Sequence, residues 1–180
     1  MLDKQMKDMV KSIDNKLDSV RKERESAIVI IEGIVKETYK NSHSNYGSYV
    51  GIRWYGSMAS GLAIEQSDVD LAVVGLDFQG NREIQIKEMH KLCDQLNLFM
   101  KTKSSLKFID TATVPVIKLQ VDLRKVNSMI IKRSSESTFN DISEEMRFLG
   151  IDITFEDSSQ SQQFSYTRVN HGISCINQTK

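Results

Sequence analysis

Apolar residues recur at alternating spacings of three and four along the start of the chain: Leu2, Met6, Met9, Ile13, Leu17 and Val20. The pattern resumes at Ala27, Ile28, Ile31, Ile34 and Val35, with charged residues on the other face and no proline. One long amphipathic helix over residues 2–40 is the expectation, broken by nothing but Gly33. Its apolar seam is narrow and lacks strong Leu/Ile repetition. Two readings follow: a helix packed on its own domain, or an arm that docks a partner.

Beyond a polar turn at 41–47 the periodicity changes to that of strands. Residues 49–55 read as a strand running into Gly56-Ser57, with Trp54 expected in the core because such a strand must pack. A short helix is expected at 60–65 and a strand at 67–76. Residues 83–100 carry Ile84, Ile86, Met89, Leu92, Leu96 and Phe99 at helical spacing. Strands follow at 106–110 and 113–123, the second rich in β-branched residues, with Pro115 near its start where a missing N–H is tolerated. The Ser-rich, charged stretch 124–147 reads as an insertion or long loop with a short helix at 142–149. Residues 151–155 form a short alternating strand, and the tail from 156 opens as a Ser/Gln-rich linker.

Composition narrows the classes. A chain of 180 residues makes one domain with a substantial core. Lys+Arg and Asp+Glu both number 24, which argues against a tight, autonomous grip on a long nucleic acid. Cys93 and Cys175 show neither pairing logic nor zinc spacing, so a reducing compartment is expected. No signal-peptide core or membrane-length apolar run is present. The expectation is an intracellular protein, nuclear or cytoplasmic, with no membrane partner.

Candidate chemistry sits in residues 55–74. Gly56-Ser57 ends one apolar run, and Asp68-Val69-Asp70 opens another. In an extended strand Asp68 and Asp70 project to one face while Val69 enters the core. Two adjacent carboxylates repel unless a cation lies between them, and hard oxygen ligands suit Mg²⁺ held together with substrate phosphates. Gly56 and Ser57 offer unhindered backbone N–H groups near a helix start, where anions bind. A phosphate cradle beside a metal site implies nucleotide chemistry. A third carboxylate is needed to orient the attacking hydroxyl. Asp122 and Asp152 both lie between apolar neighbours on strands, and periodicity does not separate them.

The string from Gly56-Ser57 through Gly61-Leu62 to Ser67-Asp68-Val69-Asp70-Leu71 resembles the signature of the DNA polymerase β nucleotidyltransferase superfamily. Its wording is similar to that of non-canonical poly(A) polymerases and terminal uridylyltransferases, although small bacterial nucleotidyltransferases carry a similar string. A second, ordered match moves the preference away from those: Val114-Pro115-Val116-Ile117-Lys118, then Asp152-Ile153-Thr154-Phe155, resembling the family's Val-Pro-x-Ile-Lys and Asp-Ile-Ser-Phe strands. The resemblance covers about residues 49–172 and selects Asp152 over Asp122 as the third metal ligand. The departure is the long stretch between the two strands.

That resemblance implies an α+β fold, a mixed sheet flanked by helices, with the N-terminal helix over 1–40 and the catalytic domain over 41–180. It implies transfer of a nucleoside monophosphate from an NTP to an RNA 3′ end, releasing pyrophosphate. Gly56 and Ser57 would hold the β/γ-phosphates; Asp68, Asp70 and Asp152 would hold Mg²⁺ or Mn²⁺. The family's second, helical domain has no room after the last strand; Asn177 stands where the entry into it would bring an Asn to the sugar. A fragment, a second domain borrowed from a partner, and a chain needing none are all open. Two alternative functions stand beside this one: a minimal nucleotidyltransferase acting on a protein or small molecule, and a non-catalytic subunit docked through the N-terminal helix. Other polar residues carry less. His43, His90 and His171 lack ligand spacing, and the Lys101-Lys103-Lys107 and Arg124-Lys125-Lys132-Arg133 clusters read either as RNA contacts or as solvated faces.

Overall fold

The computed structural model describes residues 2–40, 50–64, 66–100, 105–126 and 142–158. The first helix, α1 (Leu2–Tyr39), runs the length its periodicity predicts. Its two halves differ. From Val20 onward one stripe is buried, with Ala27, Ile28, Ile31, Ile34, Val35 and Tyr39 in the core. Before Val20 the stripe opens progressively: Ile13 and Leu17 are half-buried, and Met6, Met9 and Val10 are each more than half exposed. Packing of α1 on its own domain therefore does not account for its first turns.

Five strands form one sheet in the order β1-β2-β5-β4-β3. These are β1 (Gly51–Tyr55), β2 (Val69–Leu76), β3 (Leu106–Ile109), β4 (Val116–Asp122) and β5 (Phe148–Asp157). Only β2 and β5 are parallel; every other neighbouring pair is antiparallel. In β5 the side chains alternate strictly, Leu149, Ile151, Ile153 and Phe155 buried, Phe148, Gly150, Asp152 and Thr154 on the opposite face. The buried face is covered by α1 and by α3 (Arg82–Met100), whose Met89, Leu92, Cys93 and Leu96 enter the same core. Tyr39 meets Phe155 edge-on at 6.1 Å between ring centroids and donates its hydroxyl to the Glu88 carbonyl, tying α1 to both sheet and α3. The other face of the sheet carries the polar residues.

Several expectations are corrected. The short helix between the two motif halves is α2 (Gly56–Ser60), not 60–65. It starts at Gly56 and stops at Gly61, whose φ of 73° supplies the left-handed C-cap. Trp54 is not core: it is 39% exposed. On the edge strand β1 only one neighbour covers it, and it lines an open cavity of about 310 Å³ with Leu17, Ile28 and Met58. In the described parts of the stretch 124–147 read as an insertion or long loop, Val126, Ile142 and Met146 are buried in the core. The helix expected at 142–149 is a single 3₁₀ turn at Glu144–Met146, and Phe148 and Leu149 already belong to β5. Residues 127–141, with Lys132 and Arg133, lie outside the described residues, as do His43, Lys101, Lys103, His171, Cys175 and Asn177.

Candidate active site

The parallel pairing of β2 with β5 brings the acidic residues together. Asp70 and Asp152 are register partners on these adjacent strands, so their side chains leave the same face of the sheet. Asp68 lies just before β2, and its carboxylate rests on Gly150 of β5, where an added Cβ would fall 2.0 Å from Oδ1. Gly56 stands against Asp70 in the same way: a Cβ there would meet Asp70 Oδ2 at 2.0 Å, and φ is +68°. Glycine serves at position 56 for both reasons, close approach and left-handed backbone. Four residues distant in sequence, Gly56, Asp68, Asp70 and Asp152, thus meet at one end of the β2–β5 pair, with Ser57 next to Gly56 in the first turn of α2.

The row does not stop at the acids. Tyr55, Asp70, Asp152, Lys118 and Lys107 are successive register partners across all five strands. Their charges run neutral, negative, negative, positive, positive. Lys118 Nζ lies 2.5 Å from Asp152 Oδ2. The Asp152 hydrogen bond, with the acids around it, raises the Lys118 pKa against a smaller opposing effect of burial. The Asp70 pKa is also raised, first by burial, then by the negative charges of Asp152 and Asp68, with Lys118 opposing. A carboxylate whose charge is disfavoured by two neighbouring carboxylates is a place that attracts a cation. Lys118, Asp68 and Asp152 line a cavity of about 450 Å³ with Arg24, Gln66, Ser105, Lys107, Gln120 and Glu145.

The other candidate for third carboxylate has a different occupation. Asp122 is 6% exposed, accepts hydrogen bonds from Arg147 Nε and Nη2 at 3.2 and 3.0 Å, and caps the backbone N–H of Arg124. Arg124 and Arg147 both bind Glu144. Asp122 pairs with Phe148, four residues along β4 from Lys118, so it belongs to the seam that joins β4 to the 3₁₀ turn. Sequence reasoning missed Gly150 and the Lys118 ion pair. A glycine inside a strand whose neighbours are apolar was the available signal for the first.

A hard divalent cation fits this donor set: three carboxylates, repulsion among them, and a Gly56 that leaves room against Asp70. As the side chains stand, no three Asp, Glu, His or Cys groups among the described residues converge closely enough to hold a metal ion. Asp152 is engaged by Lys118 on the side of the strand away from Asp70.

A mixed sheet with helices on one face, a Gly-Ser turn before one strand and carboxylates on two central strands define a polymerase β-like nucleotidyltransferase palm. The chain belongs to the family described as poly(A) RNA polymerase, mitochondrial-like, central palm domain, which it matches over residues 2–131. No curated protein sequence matches it. Among solved structures, the polymerase core of TRAMP, an RNA surveillance complex, is 18% identical with a TM-score of 0.52, covering 83% of this chain and 35% of that one. The Cid1 poly(U) polymerase with MgGTP bound is 21% identical with a TM-score of 0.47, covering 75% of this chain and 32% of that one. A cytoplasmic RNA terminal U-transferase is 21% identical with a TM-score of 0.43, covering 75% and 28%. The chain thus spans about one third of the length of these polymerases.

Proposed function

We propose that this chain is the catalytic palm of a template-independent RNA 3′-end nucleotidyltransferase, of poly(A) polymerase or terminal uridylyltransferase type. The observation that carries the reading is the in-register pairing of Asp70 with Asp152 beside Asp68 and Gly56. An ordinary surface strand gains nothing from placing like charges directly opposite, and the arrangement costs stability. The family match over residues 2–131 and the TRAMP core's fold support it.

In this reading Gly56 and the N-terminal N–H groups of α2 hold the β/γ-phosphates of an NTP, with the Ser57 hydroxyl beside them. Asp68 and Asp70 would hold two Mg²⁺ or Mn²⁺ ions, and Asp152 would hold one of them. A metal there would supply a lowered pKa for the attacking hydroxyl and compensation of charge on the phosphoryl oxygens. Asp152 orients the RNA 3′-hydroxyl, whose oxygen attacks the α-phosphorus. The bond from that phosphorus to the bridging oxygen breaks, and pyrophosphate leaves. A polar cavity lined by Asp68, Lys118 and Asp152 supports the reading by leaving room beside the acids for an acceptor.

The intracellular setting, nuclear or cytoplasmic, is part of the same proposal. So is a protein partner on the N-terminal half of α1, supported by the exposure of Met6, Met9 and Val10. No helix among the described residues is long and apolar enough to cross a membrane.

The test incubates the chain with Mg²⁺ or Mn²⁺, each NTP in turn and an RNA primer, beside the Asp68→Ala/Asp70→Ala double variant. Primer extension that vanishes in the double variant is the expected result. Extension that survives in it overturns the reading, and labelling of protein in place of RNA moves the activity to a different acceptor.

A further inference from the structure

The acidic half of the cross-sheet row has a rival for any incoming metal. Asp152 sits between two neighbours that make opposite demands on it. On the β2 side lies Asp70, whose charge it raises in energy; on the β4 side lies Lys118, whose ammonium already satisfies it. On the far side of Lys118, its β3 partner is another cation, Lys107. Like charges directly opposite repel. Lys118 is therefore attracted by Asp152 and pushed toward it by Lys107.

The ammonium on Asp152 Oδ2 takes one of the carboxylate's acceptor sites and offsets the negative charge that would draw a divalent cation to it. An ammonium left in place also repels the metal that approaches Asp68 and Asp70. The three carboxylates are not assembled into a metal-holding cluster while Lys118 holds Asp152. Lys118 has somewhere to go, because its side chain is 47% exposed and borders the cavity of about 450 Å³.

From this we infer that Lys118 is the resident counter-ion of Asp152, and that a divalent metal must compete with it when the third carboxylate joins Asp68 and Asp70. Lys118 is thus a positioning residue: it sets how readily the metal site assembles, and it keeps the acidic row compatible with folding when no metal is bound. The inference rests on the reading of Asp68, Asp70 and Asp152 as metal ligands, and adds a competitor to that set.

The experiment measures Mn²⁺ binding to the full chain by electron paramagnetic resonance, with no nucleotide or RNA, in five proteins. These are the unaltered chain, Lys118→Met, Lys118→Arg, Asp152→Asn, and Lys118→Met in the Asp152→Asn background. Circular dichroism confirms that each is folded, which the exposed position of Lys118 favours. Lys118→Met is expected to bind Mn²⁺ roughly three- to five-fold more tightly, the scale of a partly exposed ion pair. Lys118→Arg keeps the charge and is expected to bind like the unaltered chain. In the Asp152→Asn background the gain from Lys118→Met shrinks to what removal of a nearby positive charge alone gives, because the competition for the Asp152 carboxylate is gone. Unchanged affinity in Lys118→Met overturns the inference, as does an equal gain with and without Asp152. Either result leaves the proposed function standing if primer extension is observed. Absence of Mn²⁺ binding in all five proteins overturns the inference and the metal-dependent reading together.

Discussion

The Asp68 carboxylate occupies the space that a side chain at Gly150 would fill. An added Cβ at position 150 would lie 2.0 Å from Asp68 Oδ1 and 2.8 Å from its Cγ. The backbone at Gly150 is ordinary strand, without the positive φ found at Gly56, Gly61, Gly75 and Gly80. The contact atom is the end of a short exposed-side carboxylate, so the collision is relieved by turning Asp68 away. The cost falls on function and not on the fold.

Gly150→Ala is accordingly expected to melt within a few degrees of the unaltered chain while losing about a hundred-fold in primer extension, the scale of a 1 Å misplacement. Thermal melts and extension rates on the same preparation check this. Full activity in Gly150→Ala shows that the Asp68 position is not needed.

Asp122 and Asp152 should separate cleanly. Asp122 is buried against Arg147 and caps Arg124, whereas Asp152 sits on the polar face. Asp122→Ala removes the closer and more buried of the two carboxylates that hold Arg147 and is expected to lower Tm by roughly 5 °C, with extension retained below the melt. Asp152→Ala is expected to do the reverse, abolishing extension with Tm almost unmoved. Loss of extension in both variants, with both still folded, refutes the division of roles.

The raised pKa of Asp70 makes a pH-dependent prediction in metal-free solution. Burial and the charges of Asp152 and Asp68 raise it above the model-peptide value of 3.8. The folded state thus holds this proton more tightly than the unfolded state does. That stabilisation is fully present below pH 3.8 and is lost as pH rises through the raised value. At neutral pH the ionised Asp70 is therefore a liability, and Asp70→Asn is expected to raise the metal-free Tm by a few degrees. The gain shrinks toward the acid end. Added Mn²⁺ should raise the Tm of the unaltered chain and not that of Asp70→Asn. A metal-free Asp70→Asn protein less stable at pH 7 than the unaltered chain refutes the account.

Much of this protein is legible along the chain because its signals are local. The 3.6-residue periodicity of α1 and α3 and the alternation within β5 follow from helix and strand geometry alone. The Gly56-Ser57 and Asp68-Val69-Asp70 spacing is a local signal too, and the likeness of Asp152-Ile153-Thr154-Phe155 to a family strand points to Asp152. Register, by contrast, is a relation between strands, and no single strand encodes it. Only the pairing of β5 between β2 and β4 placed Asp152 opposite Asp70 on one side and Lys118 on the other. The same pairing put Asp122 four residues along, in the Arg147 network. Exposure of Trp54 had the same origin, since an edge strand has one neighbour and the sequence does not say which strands lie at the edge. The polar look of 124–147 hid the burial of Val126, Ile142 and Met146, which is decided by what the sheet packs against and not by local composition. The amino-acid sequence determined which residues are available for metal and phosphate; tertiary pairing decided which of them share a face, because that is fixed by hydrogen bonds between strands far apart in the chain.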